Sequence, residues 1–169
     1  MGALYGGSKE INPALVLIAE PTKANDYRPE HAALLLDSYQ HWTGRALLNT
    51  DAPGRDLYHA PFALLSHELA LDPCFTYANL AAQTLFEMPW AEMVGSPSRH
   101  SAEPIAQSER ASLLARVAAQ GYIENYSGVR IARSGKRFLI QRATVWNLID
   151  RHGTLVGQAA CFTADNSAG

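Results

Sequence analysis

The sequence predicts an α+β domain built on a five-stranded antiparallel sheet, with helices packed on one face and an additional helix at the N-terminal side. Size comes first: 169 residues, 47% hydrophobic and 18% charged, give enough apolar material for one core and too little charge for a disordered chain. Order comes second, because helical periodicities occupy the first and middle parts of the chain and three β-favouring stretches follow one another after Gly121. Turn chemistry comes third. Arg133-Ser134-Gly135-Lys136 and Asp150-Arg151-His152-Gly153 join those three stretches as consecutive hairpins, which makes the pairing antiparallel.

Residues 1–27 carry Gly2, Gly6, Gly7, Pro13 and Pro21, which break regular structure and predict a flexible or extended N-terminal arm. The longest apolar run there, residues 14–19, has no basic leader and is too short for a secretory signal. Pro29 suits a first helical turn, and Leu34, Leu35, Tyr39, Trp42 and Leu47 recur on one face, so a helix is expected over about 29–48. A Pro53-Gly54 loop follows. Strands over 62–67 and 74–79 form a hairpin across Leu71-Asp72-Pro73, and Asn79 is the structural cap of a helix over 80–86. A single turn over 90–94 precedes Gly95-Ser96-Pro97. Ser101 is placed to cap a helix to about residue 120, with Ile105, Leu113, Leu114 and Val117 as its buried stripe and Gly121 as its stop. The final strands are expected over 122–132, 137–149 and 154–163, followed by a polar tail at 166–169.

Strict alternation along 137–149 puts Phe138, Ile140, Arg142, Thr144, Trp146 and Leu148 on one face and Leu139, Gln141, Ala143, Val145, Asn147 and Ile149 on the other. Both faces are partly apolar, so periodicity leaves the inward face open.

Fourteen Lys and Arg stand against sixteen Asp and Glu, a net charge of −2, which supplies no general attraction to nucleic acid or to an anionic membrane. No stretch reaches the roughly 18 apolar residues of a membrane span, and Cys74 and Cys161 suit a reducing compartment, so a cytoplasmic location is expected. The six histidines are scattered without metal-ligand spacing, and no metal site is expected. Ser66-His67-Glu68 places three triad residue types side by side, but neighbours on a strand point to opposite faces and cannot form a triad. There is no nucleophile elbow, phosphate loop or dinucleotide fingerprint, and no catalytic residue is assigned. Within 121–151, Arg130, Arg133, Lys136, Arg137, Arg142 and Arg151 outnumber Glu124 and Asp150. That balance describes either a solvated hairpin or a surface for an acidic partner or anionic ligand.

Residues 75–86 and the following Trp90-Ala91-Glu92-Met93-Val94-Gly95 resemble the PAS pattern, in which a strand ends in Asn, a helix ends in an aromatic residue, and a turn running from Glu to Gly follows. Ser134-Gly135-Lys136-Arg137-Phe138 and Asp150-Arg151-His152-Gly153 resemble its later turns. More narrowly, Leu36-Asp37-Ser38-Tyr39-Gln40-His41-Trp42-Thr43-Gly44, Tyr58-His59-Ala60-Pro61-Phe62 and 72–79 resemble the MEKHLA domain family over about 31–163. That family is PAS-related, occurs alone in bacteria and forms the C-terminal part of a class of plant homeodomain-leucine zipper regulators. The homeodomain and zipper are missing from this chain, so no DNA binding carries over. The resemblance implies a PAS-like core over about 60–164 inside a domain over 28–165.

It also implies a stand-alone sensory or regulatory module that binds a small ligand, associates with proteins, or does both, without catalysis. The alternatives are a structural dimerisation module with a packed interior and a small cavity enzyme. Haem and flavin occur in PAS relatives, and no specific motif here selects either; Gly95-Ser96-Pro97-Ser98-Arg99-His100 lacks the flavin-reactive cysteine. Tyr77, Phe86, Trp90, Arg142 and Trp146 are the expected ligand-binding residues, the aromatics for contact area and Arg142 for a carboxylate or carbonyl. Leu34, Leu35, Tyr39 and Trp42 offer apolar surface for a homodimer, with docking on the chain's own sheet as the competing outcome.

Overall fold

The computed structural model describes residues 18–165. Its helices are α1 (Pro29–Thr43), α2 (Pro53–Tyr58), α3 (Leu80–Phe86), α4 (Trp90–Met93) and α5 (Pro104–Gln120). Its strands are β1 (Ala63–Glu68), β2 (Phe75–Ala78), β3 (Tyr122–Ile131), β4 (Arg137–Ile149) and β5 (Leu155–Asp165). All five form one antiparallel sheet in the order β2-β1-β5-β4-β3, so the early hairpin joins the late strands through the β1–β5 pair.

Proline starts α1, α2 and α5, where its missing N–H is one the first turn leaves unpaired anyway. Pro53-Gly54, expected in a loop, instead open α2, and two helix boundaries differ from the expectation. Helix α1 stops at Gly44 rather than near 48, because Gly44 turns left-handed at φ 73° and its N–H closes on the carbonyl of Gln40. Helix α5 begins at Pro104 rather than after Ser101; Pro104 holds Glu103 extended, and Ser101 instead belongs to a 3-10 turn over Ser98–Ser101. Within the arm, residues 18–27 lie against the body: Pro21 is buried, and the indole N–H of Trp90 donates to the carbonyl of Ile18 at 3.2 Å. The rest of the arm and the tail at 166–169 lie outside the described residues.

Both faces of the sheet are covered, not one. On the inner face, under α3, α4 and α5, pack Ala63, Leu65, Phe75, Phe138, Ile140, Ala143 and Phe162 with Phe86 and Met93, and beside them Val145 with Leu113 and Val117. On the outer face, under α1, pack Leu64, Tyr77, Trp146, Leu148 and Ala159 with Ala32, Leu35 and Tyr39. The additional helix therefore buries its apolar stripe on its own sheet, and that stripe does not argue for a homodimer. Hydrogen bonds fix the seat: the Trp146 indole donates to the Leu35 carbonyl at 3.2 Å, Trp42 donates to the Asn147 carbonyl at 2.9 Å, and the Ser38 hydroxyl accepts from the Ile149 amide at 3.0 Å.

Strand β4 serves both faces because it carries a bulge. Its pairing with β5 shifts between Gln141 and Thr144, and Arg142 sits there at φ 53°. The extra residue inverts the alternation: Phe138 and Ile140 share the inner face with Ala143, Val145 and the side chain of Asn147, while Trp146 and Leu148 point outward. Strict alternation across 137–149 thus fails at one residue. At the far end of β4, Gly121 ends α5 at φ 95°, and a Cβ there would lie 2.4 Å from the Trp42 ring. The two helical layers touch at that corner, which only a glycine allows.

Candidate functional site

The inner face is not solid. A cavity of about 50 Å³ lies between the sheet and α5, lined by Leu65, Phe86, Leu113, Ile140, Val145 and Phe162 on its apolar side and by His67, Arg110, Tyr126, Arg130 and Gln158 on its polar side. That volume exceeds the ~10–15 Å³ needed for one water several times over. Each polar residue arrives by ordinary secondary-structure spacing. His67 follows Ala63 and Leu65 on the inward face of β1. Arg110 precedes Leu113, Leu114 and Val117 by three, four and seven residues on the buried stripe of α5. Arg130 pairs with Phe138 near the end of β3.

Among the described residues no carboxylate lines the cavity, and Asp72 acts on Arg110 from outside it. Arg130 is only 8% exposed; it donates to the Val129 carbonyl at 2.9 Å and lies over the Tyr126 ring at 5.7 Å. Arg110 donates to the Ser98 hydroxyl at 2.6 Å. Burial, then the Arg130 charge, brings Arg110 down to about 10. Among the described residues, neither arginine forms an ion pair, whereas Arg133 pairs with Glu92 and Arg137 with Glu103 at 2.5 Å on the surface of the same hairpin. His67 is 6% exposed, and burial lowers it to about 4. Its Nδ1 lies 2.8 Å from the Glu68 carbonyl, and its Nε2 is buried without a partner. A carbonyl only accepts, so Nδ1 carries the proton and Nε2 of the neutral ring is a bare acceptor.

Gln158 links the cavity to its surroundings. Its side-chain amide donates to the Leu114 carbonyl at 3.0 Å and to Oδ1 of Asn147 at 3.1 Å, and the Asn147 amide donates to the Val117 carbonyl at 3.0 Å. The polar end of the cavity is therefore tied to the backbone of α5.

Of the five expected ligand residues, Phe86 lines this cavity. Tyr77, Trp90 and Trp146 belong to the other cluster: Tyr77 and Trp90 meet edge to face at 5.6 Å, and Trp146 is fully buried against Tyr39 at 5.1 Å. Arg142 is exposed at the bulge, so the carboxylate role considered for it has no place in the cavity. Asn79 is the cap it was expected to be. Its Oδ1 accepts from Ala82 at 3.1 Å and from Leu64 at 2.9 Å, and its amide donates to the carbonyls of Leu57 and Phe62. Sequence reasoning assigns neither His67 nor Arg110 to binding, although Arg110 falls on the stripe that defines α5; Arg130 is one of the six bases of the hairpin considered for an acidic partner or anionic ligand.

Neither cysteine reaches the cavity: Cys74 bridges to Pro97 at the edge of the sheet, and Cys161 is held in the outer-face cluster, where burial raises its thiol to about 11. The flavin adduct chemistry of light-sensing domains thus has no thiol here. Among the described residues, no three His, Cys, Asp or Glu are arranged to hold a metal ion, and no helix is long and apolar enough to cross a membrane.

A five-stranded antiparallel sheet in the order 2-1-5-4-3, with short helices between β2 and β3 and a cavity beneath the longest, defines a PAS-type domain. Solved structures agree. The PAS domain of a protein from Colwellia psychrerythraea superposes with a TM-score of 0.59 at 14% identity, covering 67% of this chain and 93% of that one. A light-oxygen-voltage domain studied with a flavin analogue gives 0.56 at 16% identity, over 67% and 84% of the two chains. The light-state dimer of the fungal blue-light photoreceptor Vivid gives 0.56 at 15% identity, over 78% and 91%. No curated protein matches in sequence. The MEKHLA domain model matches residues 29–166, and the chain belongs to that family.

Proposed function

We propose that the chain is a sensory or regulatory module of PAS type that binds a small molecule in the inner-face cavity and has no chemistry of its own. One observation carries the reading: a cavity on an otherwise well-packed face retains a buried acceptor, Nε2 of His67, that the protein leaves unpartnered. Buried polar groups are ordinarily satisfied, and of the three side-chain atoms buried without a partner among the described residues, Nε2 of His67 is the one whose side chain lines the cavity. The mechanism is a population shift. A ligand beside Gln158 changes how that side chain holds Leu114 and Asn147, and so favours one seating of α5. Two free cysteines support a cytoplasmic setting. Association between copies, as in the light-state dimer of Vivid, would be the output; on the outer face it requires α1 to leave the sheet.

The test is a thermal-shift screen of small metabolites against the native chain and against Ala160→Leu. Ala160 pairs with Leu65 and Val145 at the cavity wall, and a leucine there fills the space. Compounds that raise the melting temperature of the native chain and not of the variant support the reading. A screen without such compounds leaves a packed interaction module.

A further inference from the structure

Three groups in the cavity hold more hydrogen-bonding capacity than the protein uses. A guanidinium has five N–H donors; the side chain of Arg110 makes a hydrogen bond to the Ser98 hydroxyl alone, and that of Arg130 makes hydrogen bonds to the Val129 carbonyl and, at 3.4 Å, to the Tyr126 hydroxyl. Two guanidinium groups sharing one cavity without a carboxylate are costly, and an anion relieves both the desolvation and their mutual repulsion. Arginine forks also match a planar carboxylate in geometry. The third group has the opposite need. Because Nδ1 of His67 donates to the Glu68 carbonyl, Nε2 offers a lone pair and requires a donor. The remaining walls, Phe86, Leu113, Ile140 and Val145, are apolar, which suits an alkyl chain and does nothing for an inorganic oxyanion. The volume of about 50 Å³ favours a small ligand body.

We propose that the cavity takes a small hydroxy acid, its carboxylate held by Arg110 and Arg130 and its hydroxyl donating to Nε2 of His67. This deepens the reading of the cavity as a ligand site and rests on it. A ligand with both groups satisfies all three polar side chains at once, whereas a simple fatty acid leaves His67 unpaired and a neutral alcohol leaves the two arginines unpaired. A site built around a buried hydrogen-bonding group discriminates strongly against the analogue that lacks its partner.

Four probes separate these contributions by calorimetric titration of the full chain: 2-hydroxybutyrate, butyrate, 2-hydroxybutyramide and inorganic phosphate. The expected order is 2-hydroxybutyrate tightest and butyrate about tenfold weaker, with the amide weaker by about a hundredfold. Arg110→Gln and Arg130→Gln should each weaken 2-hydroxybutyrate by about ten- to a hundredfold, and Arg110→Lys, which keeps the charge and loses the fork, should fall between. His67→Leu should bring the acid with the hydroxyl and the acid without it to similar affinity. Amide proton spectra establish that each variant is folded.

Equal binding of 2-hydroxybutyramide and 2-hydroxybutyrate overturns the acid inference while leaving a ligand site in place. Phosphate binding as tightly as the hydroxy acid, and competing with it, overturns the organic ligand. Stoichiometric haem uptake with a Soret band lost in His67→Leu overturns it in favour of an axial ligand. No binding by any of the four probes also overturns it, and the screen against Ala160→Leu then decides separately whether the cavity binds anything.

Discussion

The two faces of the sheet carry similar residues and do different things with them. On the outer face, the handles between α1 and β4 are closed: the indoles of Trp42 and Trp146 donate to backbone carbonyls of the opposing element, and the Ser38 hydroxyl accepts from β4, while His31 Nε2 and an Arg28 guanidinium nitrogen at the start of α1 are buried without a partner. On the inner face, Arg110, Arg130 and His67 surround a space and leave donors and an acceptor over. Aromatic content does not distinguish a core from a binding site, since the outer face holds more of it. Open space does: the unpartnered Nε2 of His67 borders the cavity, whereas His31 does not line it and its ring lies 5.3 Å from the Tyr77 ring.

The contrast between a solid and a hollow face is most exposed at Trp146. Trp146→Ala should cost about 3–5 kcal/mol in urea denaturation, because it removes a fully buried ring and its hydrogen bond. Leu113→Ala, beside an existing cavity, should cost about 2–3 kcal/mol, the lower part of the usual range. A larger loss at Leu113 would reverse the assignment of solid and hollow faces.

Acid offers a second test, because each face buries one neutral histidine. Burial lowers His31, on α1 against Tyr77, and His67, in the cavity wall, from 6.5 to about 4. Between those values the unfolded chain binds protons that the native chain excludes, so the contribution is present above pH 6.5 and is lost as pH falls toward 4. The shifts correspond to about 3 kcal/mol for each histidine. The dependence of stability on pH across that range should flatten in two separate steps, one in His31→Gln and one in His67→Gln; an unchanged slope in either variant removes that residue from the account.

Gly121 probes the corner where the two layers meet. Gly121→Ala should cost about 1–3 kcal/mol, since the residue has positive φ and its new methyl group meets the Trp42 ring. The indole fluorescence should move with it. Least should happen in Arg142→Gly, expected to change stability by less than about 1 kcal/mol, relief of the left-handed backbone offsetting the added chain entropy. Loss of 2-hydroxybutyrate affinity in that variant would return Arg142 to the site.

Most of the architecture was readable because local signals agreed with one another: Pro29 before α1, Asn79 before α3, Gly121 after α5, and two hairpin turns among the last three strands. The site was much less so. The bulge at Arg142 carries no glycine or asparagine to announce it, and one inserted residue exchanges every side chain beyond it between faces. Trp146 was thereby grouped with Phe138, although the sheet separates them. A mixed face on a 13-residue strand was the available clue, since a strand covered on both sides has no polar face to show. His67, Arg110 and Arg130 lie on three elements far apart in sequence, yet each falls on a buried stripe that an alternation or helical count exposes. Charged residues on such stripes carry more information about binding than aromatic ones do.

The family match begins at residue 29, the first residue of α1, and not at the first strand. Docking of α1 gives that boundary a physical sense. Leu64, Tyr77, Trp146 and Leu148 form an apolar surface that only α1 and its neighbours cover, so a lineage that lost the helix would have to replace that surface at the same time. In this chain, helix and sheet face form one unit, and its limits are those of the buried surface.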